Sequence, residues 1–372
     1  MIQLMRKYLT NELPDRKVIL ENGQEYLWFS GTDYLGMGHN EAFRSNLNEG
    51  FHAYGTHFGS SRNNSLQLNI YAEAEKSIRK FTGAPAALTV SSGMWAGQLV
   101  MKEIERILLI TSTPQSIEQI QYHYGPGVHP ALWGKDYSSG NKNWTKWAYE
   151  TIHAITESSD KVAHIICTDS VGSPWAEEFD FAVFNDLPIQ KNTFLIVDDS
   201  HGLGASGQSG NGSYQKLSSI KNAGLLVVAS LNKAMGIPAG MILADENISS
   251  LLRTSPWFSG ASPCAPAYCF ALKKSLDQRL YQTAFHFLKN NISYFQDRIL
   301  DSGMFSCIEN YPVFCSNDSS LFPFLLDNGI MASCFPYPLA TDPPVTRLAI
   351  SALHQKEDLD QLAEVFIKFR NL

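Results

Sequence analysis

The chain has 372 residues, of which 44% are apolar and 17% charged, with a net charge of -7. That length exceeds the ~250–300 residues at which one hydrophobic core stops growing, so two lobes are expected. The acidic balance excludes a nucleic-acid partner, which needs a basic stripe, and no apolar run approaches a bilayer span.

In chain order, residues 1–10 carry Arg6 and Lys7 with no apolar stretch behind them, so no signal peptide is expected and the chain reads as cytoplasmic. Residues 1–40, with Pro14 and a hairpin turn at Glu21-Asn22-Gly23-Gln24, are too few for a core and are expected to pack on the C-terminal domain. Apolar residues at 66, 70, 74, 78 and 81 form a helical stripe. Continuous apolar runs bounded by Gly, Ser or Asp predict buried strands at 87–90, 164–168, 193–198, 225–229 and 240–244. Strands alternating with helical patterns predict an α/β fold: a doubly wound, mainly parallel sheet over 41–255 with helices on both faces. The character changes near Ser255. A turn-rich junction at Ser259-Gly260-Ala261-Ser262-Pro263 leads to a helical stretch over 265–302, Pro-interrupted strands and a closing helix with apolar positions 359, 362, 366 and 369, a smaller α/β domain over 256–372. The six cysteines are scattered with no Cys-x-x-Cys pair, which predicts free thiols and no metal.

Three segments carry candidate chemistry. The strand Phe194–Val197 ends in Asp198-Asp199-Ser200-His201, and ligands of open α/β sheets sit beyond the carboxyl ends of the strands. An Asp there can pair with a protonated ring nitrogen, or simply cap the next loop. The next strand, Leu225–Ala229, delivers Ser230 and Lys233 just past its end. A lysine is usually a solvated surface charge, yet one held in an apolar site becomes a nucleophile able to form a Schiff base. Two successive strand ends, one giving Asp198 and the next Lys233, are more specific than either alone. Third, Ser91-Ser92-Gly93-Met94 joins a strand to a helix start, where free backbone N–H groups and the helix dipole suit a phosphate, or where Ser only caps the helix. A competing motif, Gly202-Leu-Gly204-Ala-Ser-Gly207, matches G-x-G-x-x-G. The residues between strand and first glycine, the Gly-rich run to Gly212 and the missing acid at the next strand end all argue against a dinucleotide.

With these residues in hand, the chain resembles the α-oxoamine synthase family of fold-type-I pyridoxal 5′-phosphate (PLP) enzymes, which includes 8-amino-7-oxononanoate synthase of biotin synthesis. The resemblance runs from about Trp28 to Phe366 and keeps its order: Asp33-Tyr34-Leu35-Gly36, Tyr54-Gly55-Thr56, Ser60-Ser61-Arg62, Ser91-Ser92-Gly93, Val197-Asp198-Asp199-Ser200-His201, Ser230-Leu-Asn-Lys233 and Arg347 to His354. It implies that Lys233 holds the cofactor as a Schiff base, that Asp198 pairs with the pyridine nitrogen, and that His201 bonds the ring hydroxyl. His129 would stack on the ring, Ser173 would meet its edge, and Ser230 with the backbone at Gly93 and Met94 would hold the phosphate. Arg347 would clamp the substrate carboxylate, a job its bidentate fork suits. The resemblance further implies a homodimer with shared active sites, Ser259 or the backbone near Gly260 reaching the partner's phosphate. The reaction it implies condenses a small amino acid, alanine favoured, with an acyl-CoA, losing CO₂ and CoA. An aminotransferase or aldolase on the same fold, and an inactive partner subunit of a heterodimer, are the alternatives. The chain departs from the family at Leu66 and Tyr71, which stand where a glycine and a histidine are usual and are expected to narrow the acyl wall.

Overall fold

The computed structural model describes residues 7–111, 117–138, 140, 143–299, 303–336 and 341–372. Its strands in chain order are β1 (Lys17–Ile19), β2 (Glu25–Phe29), β3 (Ala86–Val90), β4 (Gln119–Tyr124), β5 (Val162–Asp169), β6 (Thr193–Asp198), β7 (Gly224–Ser230), β8 (Gly240–Ala244), β9 (Ser306–Cys307), β10 (Val313–Ser316), β11 (Ile330–Pro336) and β12 (Pro344–Ala349). Two compact units result: residues 42–172 with 178–280, and residues 1–41 with 173–177 and 281–372.

The larger unit holds a six-stranded sheet in the order β3-β8-β7-β6-β5-β4. β4, β5, β6 and β7 run parallel, while β8 lies antiparallel to both β7 and β3. β5, β6 and β8 are buried along nearly their whole length, which is why they read as unbroken apolar runs rather than alternating ones. Helix Gly93–Thr111 packs its Leu99, Val100, Ile104, Ile107 and Leu108 into the same core as Ile165, Ile196, Val228 and Ile242. Val90 and Ser230 both pair with Gly240, and Asp169 pairs with Asp198. One edge of the sheet therefore carries the ends of β3, β5, β6 and β7 together.

Three expectations change. The helix of the 66–81 stripe begins only at Asn69, and Leu66 stays outside it, 70% exposed. The helical stretch over 265–302 is two helices, Pro266–Asp277 and Leu280–Ile299, broken where Arg279 takes a positive φ; residues 300–302 lie outside the described ones. The division also falls at 280/281, not near Ser255. Helix Pro266–Asp277 packs along helix Asn69–Thr82, and Ser275 accepts a hydrogen bond from Asn46 at 3.0 Å, so these residues belong to the larger unit.

The smaller unit holds a second sheet in the order β1-β2-β11-β12-β10-β9, in which the N-terminal hairpin joins through a parallel β2–β11 pair. Among the described residues no helix is long and apolar enough to cross a membrane.

β4, absent from the expected strands, forms the sheet edge and contributes half of a buried imidazole pair. His123 Nε2 lies 3.1 Å from His164 Nδ1, and His164 Nε2 lies 2.9 Å from Ser158 Oγ. Burial drives both imidazoles down to about 4, helped by His164 at His123 and by Lys191 at His164. A histidine lowered in the folded state must charge on unfolding, so its contribution is complete above pH ~6.5 and is lost as pH falls towards 4. We expect the wild type to lose on the order of 2 kcal/mol between pH 7 and pH 5 through each such group. Replacing His164 by Gln should flatten the dependence of urea midpoint on pH in that window. An unchanged slope would remove the pair as a source of acid sensitivity.

Candidate active site

The edge where β5, β6 and β7 end gathers the candidate groups of the larger unit. Asp198 closes β6 and is buried; its Oδ1 accepts from Ser200 N–H at 2.9 Å, and its Oδ2 lies 3.8 Å from His129 Nδ1. Lys233, half-buried beyond β7, donates from Nζ to His201 Nε2 at 2.8 Å, as an ammonium with no lone pair must. His129 leads a short 3₁₀ turn whose Ala131 N–H donates to Nδ1 at 3.1 Å, so the neutral ring carries its proton on Nε2. Burial lowers the His129 pKa, opposed by the Asp198 carboxylate and reinforced by Lys233. His129 is thus a neutral flat ring close to a buried carboxylate.

Gly93 begins its helix directly against the end of β7. A Cβ at this position would overlap Ser230 Cβ, so only glycine lets the first-turn amides come so close to that strand end. Ser92 Oγ caps the helix, accepting from Trp95 N–H at 3.1 Å, while the Met94 side chain is exposed. Capping and an anion-ready helix start coexist here. Ser230 N–H donates to Ser200 Oγ at 2.7 Å, which ties the β6 and β7 ends together.

Asp169 is the residue that the sequence reading missed. It ends β5 beside Asp198, is buried, and its Oδ1 accepts from His129 N–H at 3.2 Å. Burial raises its pKa well above the carboxylate range, and the neighbouring Asp198 charge adds to this. Two carboxylates in adjacent register cannot both ionise cheaply, and that cost shows as the raised pKa of Asp169. The signal was present, since the rule that selects Asp198 selects any acid ending a buried parallel strand. Asp199 is buried too, and burial pushes it up to about 6 against the opposing effect of Ser170 and Ser213.

Ser259 lies in the larger unit, where its Oγ accepts from Asn63 Nδ2 at 2.7 Å and its carbonyl from Ser61 Oγ at 2.7 Å. The two residues expected to narrow the acyl wall differ in burial. Leu66 is exposed, whereas Tyr71 is buried with its hydroxyl donating to Cys264 O at 2.8 Å and its ring under the Arg62 guanidinium, 4.4 Å away.

Arg347 and Ser173 belong to the smaller unit. Arg347 sits on β12 between β10 and β11, opposite Cys315 and Ser333, and is 6% exposed, so it is neither a surface nor an edge-strand arginine. Its Nη2 donates to Tyr34 Oη at 2.6 Å and its Nη1 to Gly31 O at 3.4 Å. The Asp33-Tyr34-Leu35-Gly36 motif builds that support: Asp33 accepts from Met37 and Gly38 N–H, both at 2.9 Å, and holds the turn that carries Tyr34. Ser173, half-buried, precedes Pro174.

A model of the aminotransferase class I and II family matches residues 24–366. An 8-amino-7-oxononanoate synthase from Petrotoga mobilis is 26% identical over 364 residues, covering 93% of this chain and 89% of the relative. Among solved structures, serine palmitoyltransferase from Sphingomonas wittichii superposes with a TM-score of 0.77 at 15% identity, covering 97% of this chain and 91% of that one. An 8-amino-7-oxononanoate synthase from Francisella tularensis gives 0.66 at 20% identity, covering 93% and 99%.

Proposed function

This chain belongs to the aminotransferase class I and II family, and within it we propose that the enzyme condenses a small α-amino acid with an acyl-CoA, releasing CO₂ and CoA. The expected fold-type-I architecture, PLP cofactor and resemblance to α-oxoamine synthases are borne out at that level. The observation that carries the finer reading is the buried Asp198 one strand away from the Lys233–His201 pair, in a chain whose relatives at this length are 8-amino-7-oxononanoate synthases.

The donor set fits the cofactor. Lys233 Nζ would carry it, Asp198 would hold the ring nitrogen, His201 the ring hydroxyl, Ser173 the ring edge and His129 one ring face. Ser230 with the amides of Gly93 and Met94 would take the phosphate. Ser259 Oγ, already accepting from Asn63, keeps its O–H to donate to a partner subunit's phosphate in the proposed homodimer. When bound, the cofactor supplies an electron sink conjugated to the substrate Cα.

The chain's own residues then do the following. Arg347, fixed by Tyr34, would hold the amino-acid carboxylate with its fork until the new C–C bond is made. Lys233 Nζ would take the Cα proton, and His201 at 2.8 Å orients that nitrogen. Asp169, its pKa raised by burial and by the Asp198 charge, stands beside Asp198 as a weaker negative neighbour than an ordinary carboxylate. Neutral His129 places no charge of its own over the cofactor. A His129 stacked on the cofactor would leave little space over the ring and so would favour alanine or another short side chain.

The test follows free thiol and a labelled carboxyl carbon in one reaction, over a panel of CoA thioesters against alanine, glycine, serine and threonine. Simultaneous release of CoA and labelled CO₂ is expected, with alanine the best amino acid and a simple or pimeloyl-like chain the best acyl group. Arg347→Lys should raise the amino-acid KM about tenfold or more, since a point charge cannot replace the fork. Conversion of alanine to pyruvate with a keto-acid acceptor, and no thiol release, would assign an aminotransferase instead.

A further inference from the structure

The glycine-rich segment after β6 does not open a helix, as a dinucleotide motif would; the next helix is Tyr214–Leu217. It closes on itself. Leu203 N–H donates to Asp199 O at 2.8 Å, Ser206 N–H to Gly202 O at 2.7 Å, and Gly204 N–H to Gly210 O at 2.8 Å. At the base of the loop the Asp199 side chain spans its mouth, with Oδ2 accepting from Ser213 N–H at 2.8 Å, while Asp199 N–H donates to Val228 O of β7 at 2.7 Å. The backbone comes down onto that carboxylate from two sides. A Cβ at Gly202 would collide with Asp199 Oδ1 and approach Ser170 Oγ to 3.0 Å, and a Cβ at Gly212 would collide with Asp199 Oδ2. Gly212 also takes a φ of 76°. Neither clash is cheap to relieve, because a buried, two-carbon carboxylate has nowhere to swing.

His201 stands between the clamp residue and the first of these glycines, and its Nε2 meets Lys233 Nζ. We propose that Asp199 is a positioning residue: it ties residues 199–213 into a closed loop through Ser213 and the two glycines, and so fixes the His201 imidazole against Lys233. Of the glycines that match the dinucleotide motif, Gly202 admits this carboxylate, and Gly212 beyond the motif admits it from the other side. The inference rests on the reading of Lys233 as the cofactor-bearing lysine.

The test uses the cofactor-loaded protein and two readouts. One is the pH midpoint of the absorbance band of the Lys233-linked chromophore, which senses what lies beside Nζ. The other is amide hydrogen exchange across 201–212. Asp199→Ala, which removes the clamp, and Asp199→Ser, whose hydroxyl stops one bond short of the Ser213 N–H, should both move the midpoint by at least about 0.5 pH unit. Both should also speed exchange roughly tenfold or more. Asp199→Asn keeps an acceptor of the same shape and should restore midpoint and protection close to wild type. Asp199→Ser carries the test if Asp199→Ala fails to fold. Unmoved midpoints in Asp199→Ser, or an Asp199→Asn protein shifted as far as the alanine variant, would overturn the clamp. A wild type with no lysine-linked band at all would instead overturn the assignment of Lys233.

Discussion

Lys233→Ala is expected to abolish the lysine-linked absorbance band and to slow exchange of the substrate Cα proton by roughly 10²–10⁴-fold, the range of a positioned general base. The size follows from the surroundings of Nζ. It is half-buried beyond β7 and held at 2.8 Å from His201, so removing the side chain removes an amine that is already positioned. Asp198→Asn should cost less, about 10²-fold, because it removes one preorganised partner and leaves the base in place. The two variants separate by spectrum as well as rate. Asp198→Asn should keep a borohydride-reducible adduct at Lys233, whereas Lys233→Ala should lose it. An adduct at another lysine in Lys233→Ala, or unimpaired Cα–deuterium exchange in Asp198→Asn, would refute the respective role.

How much of this was legible in the sequence depended on whether the cause was local. β6, β7 and β8 lie within a residue of their expected positions because strands buried on both faces are written as unbroken apolar runs. β4 was missed because Gln-Ile-Gln-Tyr-His-Tyr alternates polar with aliphatic or aromatic residues, the mark of a half-buried edge strand, and lacks the unbroken apolar run by which the others were read; the histidine at 123 faces a partner 41 residues away. Asp169 escaped by one residue, since the apolar run of β5 stops at Thr168 while the strand continues. The domain division escaped for another reason. The composition change near Ser255 is real, but helix Pro266–Asp277 is claimed by a long-range surface, helix Asn69–Thr82, that no local pattern announces. Arg347 is the reverse case: its motif was readable, its burial was not, because only the pairing of β12 with β10 and β11 puts it inside a sheet.

The largest stability effect is expected at Glu75, a residue with no part in the chemistry. Glu75 is 3% exposed, and its Oε1 accepts from Arg62 Nη1 at 2.7 Å, from Thr89 N–H at 2.7 Å and from Thr89 Oγ1 at 2.9 Å, while Oε2 meets Arg253 Nη2. Arg62 is almost as buried, packs on Tyr71 and Phe258, and donates to Thr89 O at 3.0 Å. One carboxylate thus ties helix Asn69–Thr82 to β3, the strand that ends at the Gly93 helix start. Burial alone would raise the Glu75 pKa, but Arg62 and Arg253 overcome it and hold the group below its usual range. Glu75→Gln leaves the Arg62 guanidinium buried without a counter-charge and should cost about 3–5 kcal/mol in urea unfolding, the scale of a buried pair broken on one side. The apolar double replacement Glu75→Leu with Arg62→Met should cost far less than the two single changes summed, because it leaves no buried charge behind. The sign with pH is fixed by the depressed pKa. The contribution is complete above pH ~4.3 and declines as pH falls towards the lowered folded value, so the gap between wild type and Glu75→Gln should narrow steadily below pH ~4.3. A Glu75→Gln protein within about 1 kcal/mol of wild type at pH 7 would mean that solvent reaching Arg62 replaces the carboxylate, and that β3 is held by its pairing with β8 alone.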